Sequence, residues 1–194
     1  MFSGFITEGR NLYVSRVSGH VDWSCDQSKP CKTIWQAVTL ASQGDHIYLD
    51  GTDTDKDPYT CQSGTSEHPG IYINKSLSLI GFASPMPQLR CSEETGLVFI
   101  GSENAKEMTV RLSGLLLNES FVRVQDFSVE INACKFKGIK KGLQFVKSTN
   151  MASSIEITNS TFSGNHECIS VVVNNTMCPP QNIQVDIQAD KFLF

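Results

Sequence analysis

The repeats in the second half of the chain carry four carboxylates: Glu130, Glu156 and Asp186 at matching places, and Asp190. Clustered carboxylates are what glycoside hydrolysis requires, one as acid and another as base or nucleophile. Elimination assisted by calcium requires acidic ligands and a basic residue that removes a proton. These four are spread one or two per repeat, with no DD pair, no G-H-G and no R-x-K around them. Arginine is sparse, at Arg10, Arg16, Arg90, Arg111 and Arg123. They read as solvated acids, so no catalytic residue is expected within the 194 residues, and no cofactor is expected either.

Asp53, Asp55 and Asp57 alternate in DTDKD and form the one candidate for a calcium site, a weak one. The loop has Pro58 where an EF-hand places its sixth-position glycine, and it lacks the distal glutamate. Lys135, Lys137, Lys140, Lys141 and Lys147 cluster in CKFKGIKKGLQFVK, a candidate stripe for polyanions such as sulfated glycans. The bland alternative is a solubilising loop. His20, His46, His68 and His166 are scattered without ligand spacing, and Trp23 and Trp35 are expected to pack rather than to bind sugar.

The chain has seven cysteines and no CxxC pair, which disfavours zinc. Asn74, Asn118, Asn159 and Asn174 each begin an N-x-[ST] sequon, acceptors for N-glycosylation. Together they point to an oxidising, extracellular or cell-surface location. Cys25–Cys31, Cys61–Cys91 and Cys168–Cys178 are the expected pairs, with Cys134 left over, although seven cysteines allow many connectivities. The net charge of −4 argues against nucleic acid as a partner, and no apolar run is long enough to span a membrane. A cell-surface protein or a glycan is the partner class that remains.

The elements that must position these residues are short. Asn11–Ser15 reads as a strand, and CDQSKPC as a local disulfide loop. TIWQAVTLASQG reads as a helix of about ten residues, with Thr33 as N-cap, Gln36 completing a capping box and Gly44 as the C-terminal stop. HIYLD alternates as a strand, a long polar loop runs from Thr52 to Pro69, and Ile71–Ile73 and Leu77–Gly81 read as strands meeting at a corner.

The second half repeats. VEINACKF (129–136), IEITNSTF (155–162) and VDIQADKF (185–192) superpose without a gap, with Phe136, Phe162 and Phe192 spaced 26 and 30 residues apart. Short-strand repeats of this period mean stacked coils, in which Val129/Ile131, Ile155/Ile157 and Val185/Ile187 form apolar columns that no single coil buries alone. Their acids are expected to face outward, solvated or interleaved with lysines.

With Tyr13-Val-Ser15, Cys25…Pro30-Cys31-Lys-Thr33, Gly44-Asp45-His-Ile47-Tyr-Leu49 and Gly70-Ile-Tyr-Ile73-Asn-Lys-Ser-Leu77-Ser-Leu79-Ile-Gly81, the chain resembles the pectin-lyase-like parallel β-helix proteins. The likeness covers residues 11–81 and returns in the IEITNSTFSG stretch at 155–164. It implies an all-β fold, a right-handed parallel β-helix (solenoid) with a short N-terminal capping α-helix. Residues 1–194 form one domain in this reading, with strand, disulfide loop and capping helix at 11–50 and rungs at 71–194, cut short at the C-terminus. Enzymes, adhesins and receptors share such a fold. The expectation is a non-enzymatic module of a surface or secreted protein, serving adhesion or recognition of a ligand or glycan. The alternatives are the N-terminal part of a polysaccharide lyase or glycoside hydrolase whose active site lies beyond residue 194, and a rigid spacer.

Overall fold

A computed structural model describes residues 9–63, 70–91, 96–101, 108–138, 143–147, 153–163, 169–173, 183–188 and 191–193. The chain opens with β1 (Asn11–Val14) and one helix, α1 (Ile34–Leu40), and then makes successive passes through three parallel sheets. The passes are β2 (His46–Leu49), β3 (Tyr59–Thr60), β4 (Ile71–Ile73); β5 (Leu77–Gly81), β6 (Gln88–Arg90), β7 (Leu97–Ile100); β8 (Thr109–Ser113), β9 (Leu116–Asn118), β10 (Val122–Gln125). They continue as β11 (Ser128–Asn132), β12 (Lys135–Lys137), β13 (Leu143–Lys147); β14 (Ser153–Thr158), β15 (Thr161–Ser163), β16 (Ile169–Val173); and β17 (Ile183–Gln188), β18 (Lys191–Leu193). The seven-stranded sheet runs β1-β2-β5-β8-β11-β14-β17, the six-stranded one β3 to β18, and the five-stranded one β4-β7-β10-β13-β16. The fold is all-β with a single helix among the described residues.

Registration aligns the apolar positions of successive strands. One column runs Leu12, Ile47, Leu79, Leu112, Ile131, Ile157, Ile187, each paired with the next. A second runs Leu77, Val110, Val129, Ile155, Val185. A one-residue slip at any strand would turn its apolar set to solvent, so side-chain alternation fixes the pairing. Phe136 lies over Phe162 with centroids 4.7 Å apart and planes 5° from parallel. The aligned repeat starts one pass earlier than its three sequence copies suggest. Val110-Arg-Leu-Ser-Gly-Leu-Leu-Leu117 sits in register with 129–136, and Leu117 stands where the later copies carry Phe.

The corner after each of these strands turns on one left-handed residue: Gly114 (φ 65°), Ala133 (φ 52°) and Asn159 (φ 49°). Ala133 and Asn159 adopt the conformation without being glycine, which asparagine tolerates far better than alanine. Buried hydroxyls directly after left-handed residues, Ser160 after Asn159 and Ser120 after Glu119 (φ 51°), tie neighbouring passes. Ser160 Oγ accepts from Cys134 N (3.1 Å) and donates to Thr158 O (2.8 Å), and Ser120 Oγ accepts from Cys91 N (3.0 Å) and donates to Leu89 O (2.9 Å).

The helix is seven residues long rather than ten. Thr33 Oγ1 accepts from Gln36 N (3.2 Å), but Gln36 Oε1 accepts from Lys32 N (3.3 Å) rather than from the N-cap itself. Its C-terminal carbonyls are drawn into tertiary bonds: Arg10 Nη2 reaches Leu40 O (2.8 Å), and Lys75 Nζ reaches Val38 O (3.1 Å) and Ala41 O (2.8 Å). Ser42 N then donates to Asp45 Oδ2 (2.7 Å), which closes a turn and leaves Gly44 (φ 84°) outside the helix as the turn residue before β2. Ile34, Ala37 and Val38 form the buried face.

The open edge of β1 is covered. Tyr13 N donates to Cys25 O (2.7 Å), Cys31 N to Tyr13 O (2.8 Å) and Ser15 N to Cys31 O (2.9 Å), so the Cys25–Cys31 disulfide loop lies along a strand edge that would otherwise offer itself to another chain. Cys61–Cys91 links the ends of β3 and β6, with Cα atoms 5.0 Å apart. The stretch 52–69, read as one polar loop, contains β3. Tyr59 there is buried, and its hydroxyl lies 2.9 Å from both Val14 O and Asp50 O.

Candidate functional site

Along the five-stranded sheet, Ile71, Ile73, Leu97, Phe99, Val122 and Val124 point inward and are buried. Alternation therefore presents Tyr72, Val98 and Arg123 outward as one registered column across β4, β7 and β10. Phe121 flanks the column on one side, and Ile100 and Gln125 on the other; with Gly70 and Gly96 they line a groove of about 400 Å³. That lies within the ~300–1,000 Å³ typical of small-molecule sites. Gly96 is needed here: a Cβ on it would meet Phe121 Cδ1 at 2.6 Å, so glycine lets the phenyl ring lie against the backbone. Tyr72 is 47% exposed.

Arg123 is the one charged residue among the described residues that line the groove. Its Nη2 reaches Gln125 Oε1 at 3.4 Å, a long bond, while its Nε is buried with no hydrogen-bond partner. An unmet buried donor costs about 1–3 kcal/mol, more on a charged group, and is rare in folded proteins. Arg123 was legible in sequence only as one of few arginines; its alternation with Val122 and Val124 was the available signal, and the partner strands that make the groove were not.

The carboxylates named from sequence fall into one registered column and one separate loop. Glu130 and Glu156 are neighbours on the outer face of the seven-stranded sheet, in register with Asp186. Glu130 is held by an arginine, not a lysine: Arg111 Nε and Nη2 contact its two oxygens at 2.6 and 3.1 Å. Asp57 is bound by Arg16 Nε (3.1 Å), and Asp53 lies 3.6 Å from Lys56 Nζ. With Asp55 they do not converge, and among the described residues no three metal-ligating side chains come together. The Arg16 hydrogen bond holds the Asp57 carboxyl below the usual carboxylate range.

Lys135 and Lys137 are exposed on the outer face of β12, on a different sheet from the groove. Lys140, Lys141, His68, His166, Asp190, Asn174, Cys168 and Cys178 lie outside the described residues, as does the side chain of Lys147. Asn74, directly after β4, and Asn159 are exposed, while Asn118 is half-buried in β9. Trp35 packs against the core, and Trp23 lies beside His20 with ring centroids 5.6 Å apart. Cys134 is buried and unpaired, and desolvation pushes its thiol up to about 12.

Asp45 is a structural centre. It is 2% exposed, and burial pushes its pKa up, but Ser42 N, Arg10 N (2.8 Å) and the Arg10 guanidinium (3.0 and 3.2 Å) outweigh that and hold it below the ordinary value. The two disulfides point to an oxidising, non-cytoplasmic environment. No helix among the described residues is long and apolar enough to cross a membrane. Compared with known proteins, the chain matches no family model, no curated protein and no solved structure.

Proposed function

We propose that the chain is a right-handed parallel β-helix of the pectin-lyase-like type, capped by α1, and a non-enzymatic module of a secreted or cell-surface protein that recognises a ligand or glycan. Fifteen parallel pairings that carry the chain through three sheets in one repeating order support the architecture. The disulfides and the exposed sequons at Asn74 and Asn159 support the secretory route.

The observation that carries recognition is the groove across β4, β7 and β10, with an aromatic ring, an amide and a guanidinium whose Nε lacks a partner. Binding is proposed over turnover because, among the described residues, the lining supplies one cation and no carboxylate or histidine to move a proton. The test is a screen of the purified, oxidised chain against a glycan array and intact cells, alongside a polysaccharide panel assayed for reducing ends and unsaturated products. Retention on glycans or cells without product release is expected. Product release would overturn the non-enzymatic reading, and failure to bind any glycan or cell would favour a rigid spacer.

A further inference from the structure

We infer that Tyr13 and Tyr48 form an oxidative cross-linking site, at which a peroxidase using hydrogen peroxide joins the two phenol rings as dityrosine. The site is independent of the groove and of any ligand. Tyr13 and Tyr48 are partners in the parallel β1–β2 pairing, on the outward side of strands whose Leu12, Val14, Ile47 and Leu49 are buried. Register sets their backbones one strand spacing apart, about 5 Å. The rings stack with centroids 5.3 Å apart and planes 19° from parallel. Phe82 stands edge-on to both, with centroids at 5.9 and 6.1 Å. It closes one flank of the pair and, lacking a hydroxyl, is not itself a reactant. The other two of the four tyrosines are placed differently. Tyr59 is buried with its hydroxyl 2.9 Å from Val14 O and Asp50 O, and Tyr72 lies on the five-stranded sheet. Tyr13 and Tyr48 are both partly exposed, and among the described residues no hydrogen bond holds either phenol.

In the reaction each phenol gives up one electron and one proton, leaving a radical spread onto the ring carbons beside the oxygen. The two radicals pair to form one carbon–carbon bond, and the hydrogens on those carbons move to the oxygens, which restores both phenols. The two electrons and two protons removed reduce one hydrogen peroxide to two waters. Because the second ring is already held beside the first, coupling within one molecule outruns the encounter of two chains. Such an oxidant fits the oxidising setting to which the two disulfides point. The new bond closes a loop that contains α1 and the Cys25–Cys31 cover, so both stay fastened to β2 by a link that reducing agents do not break.

The test exposes the purified, disulfide-bonded chain at low concentration to a haem peroxidase with hydrogen peroxide, then separates monomer from larger species. The monomer is expected to gain dityrosine fluorescence, to lose the mass of two hydrogen atoms and to yield tryptic peptide 11–16 joined to 33–56. The fraction coupled should not change with protein concentration. Tyr13→Phe and Tyr48→Phe keep the ring, and each is expected to cut the monomer's fluorescence at least about tenfold. Tyr72→Phe leaves it unchanged. Unaltered far-UV circular dichroism confirms that the variants fold as the parent does. After reduction of the disulfides, the cross-linked monomer is expected to melt at a higher temperature than the reduced parent; an equal midpoint would overturn the role as a fastening. Dityrosine found only between chains, a monomer cross-link that includes Tyr72 or survives Tyr13→Phe, or no dityrosine at all would each overturn the site itself.

Discussion

Replacing Ile131 with alanine tests whether the inward column is one continuous core. Ile131 is 1% exposed and registers with Leu112 on one side and Ile157 on the other. The substitution removes three carbon groups, about 2.4 kcal/mol of transfer free energy at ~0.8 each. A cavity between two stacked neighbours that the backbone ladder holds in place raises the loss to about 3–5 kcal/mol. Urea denaturation followed by far-UV circular dichroism reads the change, and Ile131→Val, expected to lose about 0.5–1.5 kcal/mol, serves if the alanine variant does not fold. The column makes a sharper claim about coupling. Ile157→Ala combined with Ile131→Ala should deviate from additivity by more than about 0.5 kcal/mol, since the two share a contact. Leu12 stands four strand steps from Ile131 in the same column, roughly 19 Å away, so Leu12→Ala should add within about 0.5 kcal/mol. A loss below about 1 kcal/mol for Ile131→Ala, or coupling to Leu12 as strong as to Ile157, would refute the stacked-column account.

Other measurements check other joints. Cys61→Ser/Cys91→Ser releases a loop with a separation of 30 residues and is expected to cost about 3.5 kcal/mol, against about 2 kcal/mol for Cys25→Ser/Cys31→Ser, whose separation is 6. Hydrogen exchange should also rise at Tyr13 and Ser15 in the second variant, where the edge cover is held by that loop. Asp45→Asn is expected to lose about 1.5–3 kcal/mol at neutral pH. Because the folded-state pKa of Asp45 is depressed, its contribution is complete above the usual carboxylate value near ~3.9 and disappears as pH falls through the folded value. The gap between wild type and Asp45→Asn in thermal midpoint should therefore be constant from about pH 5 to 7 and close below about pH 4; a gap that persists in acid removes the charge from the explanation. Peptide mapping after iodoacetamide treatment at pH 8 should find Cys134 unmodified in the folded protein and modified in denaturant, and rapid native labelling would contradict its burial. At the left-handed corner, Ala133→Asn should be tolerated as at Asn159, whereas Ala133→Val should cost at least about 1–2 kcal/mol by denaturant titration.

The amino-acid sequence determined the local periods and the residues that pile up. Alternation at 129–131 and 155–157 with a phenylalanine five residues on defined which faces go inward, because burial of one face leaves a single register open. The start of α1 was equally legible, since a threonine cap acts within its own first turn. The helix's end was not: its last carbonyls are claimed by Arg10 and Lys75, residues remote in sequence whose reach depends on the packed coil. The pass at 110–117 went unread because Leu117 replaces the phenylalanine, and β3 because two residues carry no period. The groove was decided by tertiary structure alone. Tyr72, Val98 and Arg123 are 26 and 25 residues apart in the chain, each an ordinary outward position on its own strand, and only parallel pairing across three passes sets them side by side. Neighbours along a strand are a property of sequence, whereas neighbours across strands depend on loop lengths that the local pattern does not constrain, and the groove is made of the second kind.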